Sequence, residues 1–330
     1  MTIEIIPITS GHVPGPGFYS MSASQYHADP CPEPSLSSSI AKVLITQTPR
    51  HAWFAHPRLN PDKQERSASA AMDFGSVVHE ILLGKGGGYT ISPYDEFRSK
   101  EARAWRDGKI ADGKTVIKAI DLDRAATSAA AIWERIAKID ACRTAFVKDE
   151  GVAETVIIWR EGGVWCRAML DWWDGAGTVT DAKITGTGLS DYTLGRAISG
   201  GHDLQAAHYL RGMSVLIPGL AGRFSWRWAF AETESPHEVR VIEADGATLT
   251  MGEKKRAFAL EMWRKCLAAN KWPGYPARIE RIDYPAFAEA AWLARELADD
   301  IAMDARPDLP GKEMPPPTHA IFGEQRIELP

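Results

Sequence analysis

The sequence predicts an α/β fold, a mixed central sheet flanked by helices with a helical N-terminal region, and three observations carry that expectation. Helical patterns fill much of residues 36–140. The character changes at Val152, where three β-rich runs follow one another across glycine-containing turns. Helical patterns then return before two further β-rich runs, so the sheet receives a helical crossover partway through. The composition is that of a globular protein: 330 residues, 45% apolar and 25% charged, which excludes a mainly disordered or fibrous chain. A chain of this length buries a proper core without disulfides or a structural metal, so any metal is expected to serve chemistry.

Residues 1–35 contain Pro7, Pro14, Pro16, Pro30, Pro32 and Pro34 and read as an extended entry segment. Ser37 to Ser39 suit the cap of a helix through Ile40, Val43 and Leu44, which ends near Thr48-Pro49 because the residue before proline is pushed out of the helical region. Further helices are expected over about Ala70 to Leu83, Arg98 to Arg106 and Asp121 to Ile139. Strands follow in Glu154-Thr-Val-Ile-Ile-Trp-Arg, Val164 to Trp173 and Thr178 to Lys183, separated by Glu161-Gly-Gly and Asp174-Gly-Ala-Gly, the spacing of an antiparallel meander. Helices from Leu189 to Ile198 and His202 to Val215 precede strands from Phe224 to Glu232 and Val239 to Glu243. Two more helices, about Thr248 to Ala269 and Ala286 to Ala302, lead to a tail with six prolines in residues 307–330. The expected sheet has four or five strands, in a single domain over 36–303 between the entry segment and a tail from 304.

Met1-Thr-Ile-Glu-Ile-Ile-Pro lacks the basic and apolar regions of a secretory signal, and no window holds eighteen uninterrupted apolar residues, so a cytoplasmic protein away from membranes is expected. The four cysteines, Cys31, Cys142, Cys166 and Cys266, have neither zinc-site nor disulfide-framework spacing. A net charge of -5 gives no global attraction to nucleic acid. It conceals one basic stretch, Lys254 to Arg281, with eight basic residues against two acidic ones, among them Lys254, Lys255 and Arg256. These read either as a solvated helix face or as a track for a DNA backbone.

Asp181-Ala-Lys183 has the form acid-x-Lys, as do Asp107-Gly-Lys109, Asp112-Gly-Lys114 and Glu253-Lys-Lys255. Only the first lies on an expected strand, where residues two apart share a face. Hairpin pairing can bring Asp171 beside Asp181, placing two carboxylates and an amine in one patch. Close carboxylates repel, and a divalent cation removes that penalty; oxygen ligands suit Mg²⁺ or Mn²⁺. On spacing alone a turn aspartate and a surface ion pair are the favoured reading.

These residues resemble the PD-(D/E)xK nuclease superfamily, with Leu170 at the position of the proline and Asp181 as the second acid. Gln205-Ala-Ala-His-Tyr209 resembles the Gln-x-x-x-Tyr motif of RecB-like nucleases, and Phe74-Gly-Ser-Val-Val-His79-Glu resembles the helix that supplies their histidine ligand. Leu36-Ser-Ser-Ser, Thr48-Pro-Arg-His-Ala-Trp and Trp263 through Tyr275 are similar to RecE-type exonucleases, the exodeoxyribonuclease VIII group of phages and prophages. The resemblance covers residues 36–290 and implies a restriction-endonuclease-like core. It implies a Mg²⁺- or Mn²⁺-dependent 5′-to-3′ exonuclease on double-stranded DNA ends: His79, Asp171, Asp181 and the Ala182 carbonyl hold the ion, Lys183 positions water, and Gln205 and Tyr209 contact DNA. It further implies a single-strand annealing recombinase as partner, a homo-oligomer, and a phage- or prophage-encoded protein in a bacterial cytoplasm. The three-cysteine C-terminal cluster of iron-sulfur relatives is not in the sequence, so no iron-sulfur cluster is expected. The alternatives are a DNA-binding or scaffolding module that keeps the fold without catalysis, and a structure-specific endonuclease.

Overall fold

Two turns determine where the sheet places its polar side chains. The computed structural model describes residues 3–60, 70–86 and 88–304. Its chain opens with β1 (Ile5–Pro7), β2 (Gly17–Ser20), α1 (Ala23–His27), α2 (Ser38–Thr46) and α3 (Pro49–Ala55). There follow α4 (Ala70–Leu83), β3 (Tyr89–Ile91), α5 (Lys100–Ala111), β4 (Thr115–Ile117) and α6 (Ala119–Ala137), with β3 and β4 paired as a small separate sheet. The meander β5 (Val152–Glu161), β6 (Val164–Trp173) and β7 (Thr178–Thr185) comes next. Then α7 (Asp191–Ala197), α8 (Asp203–Leu216), β8 (Ser225–Glu232), β9 (Val239–Glu243), α9 (Gly246–Ala269) and α10 (Ala286–Asp304) complete the order.

The first turn, Gly162-Gly163, joins β5 to β6 with both glycines at positive φ (56° and 84°), as a tight two-residue hairpin requires. It pairs Glu161 with Val164, and the antiparallel register then runs to Val152 opposite Trp173. In the second turn Asp174 Oδ1 accepts the amides of Ala176, Gly177 and Thr178 at 2.8–2.9 Å, which folds β7 back against β6. Trp173 thereby pairs with Val179 and Trp172 with Thr180, after which the ladder stops. The next rung, Asp171 beside Asp181, is open. Strand β7 instead continues its pairing with β8, in parallel through the crossover of α7 and α8.

The main sheet has seven strands in the order β1-β2-β5-β6-β7-β8-β9, rather than four or five. The additional edge comes from the entry segment, expected to be irregular: β2 pairs antiparallel with β5, and β1 lies parallel to β2. Proline is tolerated at a sheet edge, where one row of amides needs no partner, so the prolines did not preclude these short strands. Buried Asp29 ties the segment down, accepting from Ser35 Oγ at 2.7 Å and pairing with Arg167 of β6 at 3.0 Å and His56 at 3.3 Å. Burial pushes the Asp29 carboxyl up, but His56, Arg167 and Ser35 outweigh it and bring it down to about 2.

One face of the sheet packs against α2, α8 and α9, in a core that includes Leu204, Met213, Trp226, Trp228 and Trp263. The other packs against α4 and α6 around Val77, Val78, Ile132 and Ile136. Helix α8 lies between sheet and α9 and is buried nearly all round. Gly252 allows that close approach, since a Cβ there would stand 2.1 Å from the Asp203 carbonyl oxygen. The chain divides into two compact units, residues 1–275 and 276–330. The proline-rich tail lies outside the described residues. No helix among the described residues is long and apolar enough to cross a membrane.

Candidate active site

The open rung between β6 and β7 collects the expected chemistry. Asp171 reaches across it, its Oδ2 accepting the Ala182 amide at 2.8 Å. A strand residue presents its N–H and C=O to the same side, so the Ala182 carbonyl also opens into the gap. His79, on the sheet-facing side of α4, places Nε2 3.1 Å from the same Asp171 oxygen. Gly75, one turn earlier, leaves only ordinary van der Waals distance, 4.0 Å, between a hypothetical Cβ and Ile184 of β7. Asp181 and Lys183 share a face of β7, with Lys183 Nζ 2.5 Å from Asp181 Oδ2. Asp181 is enclosed at 1% exposure, whereas the side chains of His79, Lys183 and Asp171 keep 26%, 22% and 15% of their surface; the site therefore opens on their side.

The two carboxylates behave unequally. Burial raises Asp171, but the charge and hydrogen bond of His79, with Lys183 and the Ala182 amide, hold it below the usual carboxylate range. Burial raises Asp181 as well, and Asp171 adds to that rise against the pull of Lys183. Lys183 loses by burial and gains more from Asp181 and Asp171, so it stays charged well above neutral pH.

No three His, Cys, Asp or Glu side chains converge as a ready-made ligand set among the described residues. The carboxylates are met instead by His79 and Lys183. Lys183 lies close to Asp181 Oδ2 but off the direction of a hydrogen bond, leaving that buried oxygen without a donor. An orphaned buried carboxylate oxygen, a second carboxylate across an open rung, a carbonyl in the same gap and an adjacent imidazole fit a divalent cation with mainly oxygen ligands.

Gln205 and Tyr209 lie elsewhere than expected. Their common face of α8 looks towards the sheet, so Gln205 Nε2 donates to Asp181 Oδ1 at 2.9 Å and orients that carboxylate. Tyr209 is buried at 7% exposure with its ring edge-on to Trp226, which speaks against a direct DNA contact for Tyr209, whereas Gln205 is half-buried. The basic cluster needs a similar correction. Arg256 is 3% exposed and paired with Glu161 at 2.9 Å and Glu253 at 2.6 Å, and Lys255 donates to Asp203 at 2.5 Å and to the Ser199 carbonyl at 2.9 Å. These two cations join α9 to β5 and α8, and of the three only Lys254 is exposed on α9. Replacing Arg256→Ala is expected to destabilise the fold by about 3 kcal/mol, the lower end for breaking a buried pair because Glu161 keeps Arg211 at 3.0 Å. Urea denaturation measures this, and an unchanged midpoint would refute it.

Two further residues lie near the site: Glu154, which the sequence leaves between an additional acid and a solvated glutamate at the start of a strand, and His202, which was not expected there. Glu154 occupies the rung of β5 opposite Asp171, between the pairs Ala153–Trp172 and Thr155–Leu170. His202, in a π-helical turn before α8, shares a cavity of about 260 Å³ with Lys183, Thr185, Thr187 and Phe230. Burial and the Lys183 charge push the His202 imidazole down to about 4, so it is neutral beside the lysine. No sequence spacing signals His202, whereas counting back from the Gly162-Gly163 turn locates Glu154. A larger cavity of about 710 Å³ lies at the start of β5 between Leu82, Lys85, Trp133 and Trp172. It contains none of the acid-lysine residues.

Residues 37–285 match the model of a family described as a PDDEXK-like domain of unknown function (DUF3799). A solved structure described as a "Putative exonuclease" from Eubacterium rectale is similar over 82% of this chain and 98% of its own, with TM-score 0.51 and 13% identity. At that identity the likeness concerns the fold, which is the restriction-endonuclease-like arrangement of a mixed sheet flanked by helices. No curated protein matches the chain in sequence.

Proposed function

Since the chain belongs to the family of PDDEXK-like domains (DUF3799), we propose that it is a metal-dependent deoxyribonuclease that hydrolyses phosphodiester bonds, acting 5′-to-3′ on double-stranded DNA ends. The observation that carries the reading is the open rung, where Asp171, Asp181, the Ala182 backbone and Lys183 meet with His79 behind them. In the proposal His79, Asp171, Asp181 and the Ala182 carbonyl hold Mg²⁺ or Mn²⁺. A cation bound there supplies charge neutralisation for the phosphate under attack.

The chain's own groups supply the rest. Gln205 fixes the Asp181 carboxylate through its amide, and His79 fixes Asp171. Lys183 is held charged by the two aspartates, so it acts as a hydrogen-bond donor that orients water and steadies negative charge on the phosphate oxygens, not as a resting base. Neutral His202 beside it adds no competing cation. Phage-type recombination with an annealing recombinase, a homo-oligomeric assembly and a cytoplasmic location complete the proposal.

The test is cleavage of linear duplexes labelled at the 5′ or 3′ end, and of closed circles, with and without Mg²⁺. Early release of 5′ label from linear duplex with circles left intact is the expected result. Cut circles would favour an endonuclease, and intact DNA under every condition would favour a non-catalytic module.

A further inference from the structure

Helix α8 turns Gln205 and Tyr209 to the sheet, and His202 stands three residues before Gln205 on that same side. It belongs to the π-helical turn Ile198–His202 that leads into α8, a distortion often found at functional sites. Its ring lies 5.9 Å from the Phe230 ring, and Phe230 is the register partner of Lys183 across β7 and β8. Side chains of such a pair share a face of the sheet, so the imidazole stands over the rung that carries the lysine. His202 and Lys183 accordingly line the same cavity of about 260 Å³.

That cavity suits water. Thr185, Thr187 and Thr193 add hydroxyl groups to its wall, and at about 30 Å³ for each water it has room for several. Hydrolysis at the open rung needs a group that takes a proton from the attacking water. Lys183 cannot, because Asp181 and Asp171 hold it charged. Asp181 Oδ1 accepts from Gln205, Asp171 Oδ2 accepts from the Ala182 amide and meets His79, and both carboxylates are assigned to the cation. Glu154 is two strands away from Lys183, on β5. His202 borders Lys183 and is neutral: burial, then the charge of Lys183, lower it with help from Lys42, against the opposing pull of Gln205 and Asp203. The polar groups that face it are thus Lys183 from β7, Lys42 from α2, and Gln205 and Asp203 from α8.

We propose that His202 is a catalytic residue of this hydrolysis, its imidazole accepting the proton of the water that Lys183 orients. This rests on the reading of Asp171, Asp181 and Lys183 as a hydrolytic site. The Gln205 amide oxygen takes the imidazole N–H, which leaves the lone pair of the other ring nitrogen for the cavity. As the water oxygen forms its bond to phosphorus, that lone pair takes the water proton. The bond from phosphorus to the leaving ester oxygen breaks, and this oxygen keeps the electron pair and takes a proton from solvent water. The imidazolium then returns its proton to solvent through the cavity. A bound phosphate brings negative charge against Lys183 and so offsets a charge that disfavours the imidazolium.

The experiment is single-turnover cleavage of duplex DNA by the full chain at saturating enzyme and Mg²⁺, with Mn²⁺ binding measured alongside, for wild type, His202→Ala, His202→Gln and Asp181→Asn. His202→Ala is expected to cleave about 10²-fold more slowly while it binds Mn²⁺ as wild type does. Added imidazole should restore its rate about tenfold or more, because the deleted ring leaves a hole beside the cavity, and the restoration should rise with pH as imidazole loses its proton. His202→Gln fills that hole with a group that takes no proton, so it should be slow and gain nothing from imidazole. A wild-type rate in His202→Ala would overturn the role of His202, as would a slow His202→Ala that binds Mn²⁺ normally and is not restored by imidazole. Weakened Mn²⁺ binding in both His202 variants would overturn it too, by making the residue a support of the cation site. Any of these results with Asp181→Asn inactive leaves the hydrolytic site standing, whereas wild-type cleavage by Asp181→Asn would overturn that site itself.

Discussion

Lys183→Ala is expected to lower the cleavage rate by about 10²-fold or more, while Mn²⁺ and duplex DNA still bind. The lysine is the charged group that stands against both carboxylates and still keeps a solvent-facing surface, so it is placed to meet a phosphate. Its loss removes a donor needed most as negative charge builds on the phosphate oxygens. Duplex affinity is spread over many backbone contacts and should change little. One side effect has a definite sign. Lys183 pulls the Asp181 carboxyl down, so the variant's Asp181 rises further, and cation binding should be compared at pH 8, where that carboxyl is ionised. Lys183→Arg is not expected to restore activity, because a planar guanidinium directs its donors differently from a compact ammonium. Single-turnover cleavage at saturating enzyme and Mg²⁺ separates the rate from binding. Wild-type rates in Lys183→Ala would remove Lys183 from the chemistry.

The parts of this fold that were legible in the sequence are those whose physics is local. Helix α4 was expected over Ala70 to Leu83 and lies there, and the Ser37 cap of α2 forms, its Oγ accepting the Ile40 amide. The meander followed from its two glycine-containing turns, and the same turns brought Asp171 level with Asp181. Strands β3 and β4, with three residues each, are too short for alternation to be visible, and β1 and β2 gain their order from β5, more than 130 residues away. Lys255 and Arg256 show the limit of counting charge. Their partners Asp203 and Glu161 lie 52 and 95 residues away, and no count reveals that a cation will be spent inside the fold. Gln205 and Tyr209 were placed correctly on one helix face, but which way that face turned depended on α9 covering the opposite side of α8.

Chelation is expected to abolish cleavage, and Asp181→Asn to do the same with excess Mg²⁺ present. Asp171 and Asp181 flank an open rung in a buried setting, and Asp181 Oδ2 is met there by the Lys183 ammonium alone, at 2.5 Å and without an aligned hydrogen bond, so a divalent cation adds charge compensation that the side chains supply only in part. Proton and cation compete for that oxygen, which gives the effect a pH dependence with a determined sign. Burial, reinforced by Asp171, pushes the Asp181 carboxyl up to about 6. Above that pH the carboxylate is free to ligate, and the pH dependence that remains comes from His79, whose imidazole burial lowers but Asp171 raises above its ordinary value and which must also lose a proton to ligate. Below it a proton must leave for each cation bound, and affinity should fall about tenfold per pH unit. Mn²⁺ titrations between pH 5 and 8 measure this directly, and Asp181→Asn should both weaken binding and flatten the profile, since its amide has no proton to lose. Ca²⁺ should bind but support little turnover, because its looser coordination holds water and phosphate less strictly. Full cleavage in excess chelator at pH 8 would sink the metal-dependent reading, and a steep acid dependence that persists in Asp181→Asn would assign the titration to another group.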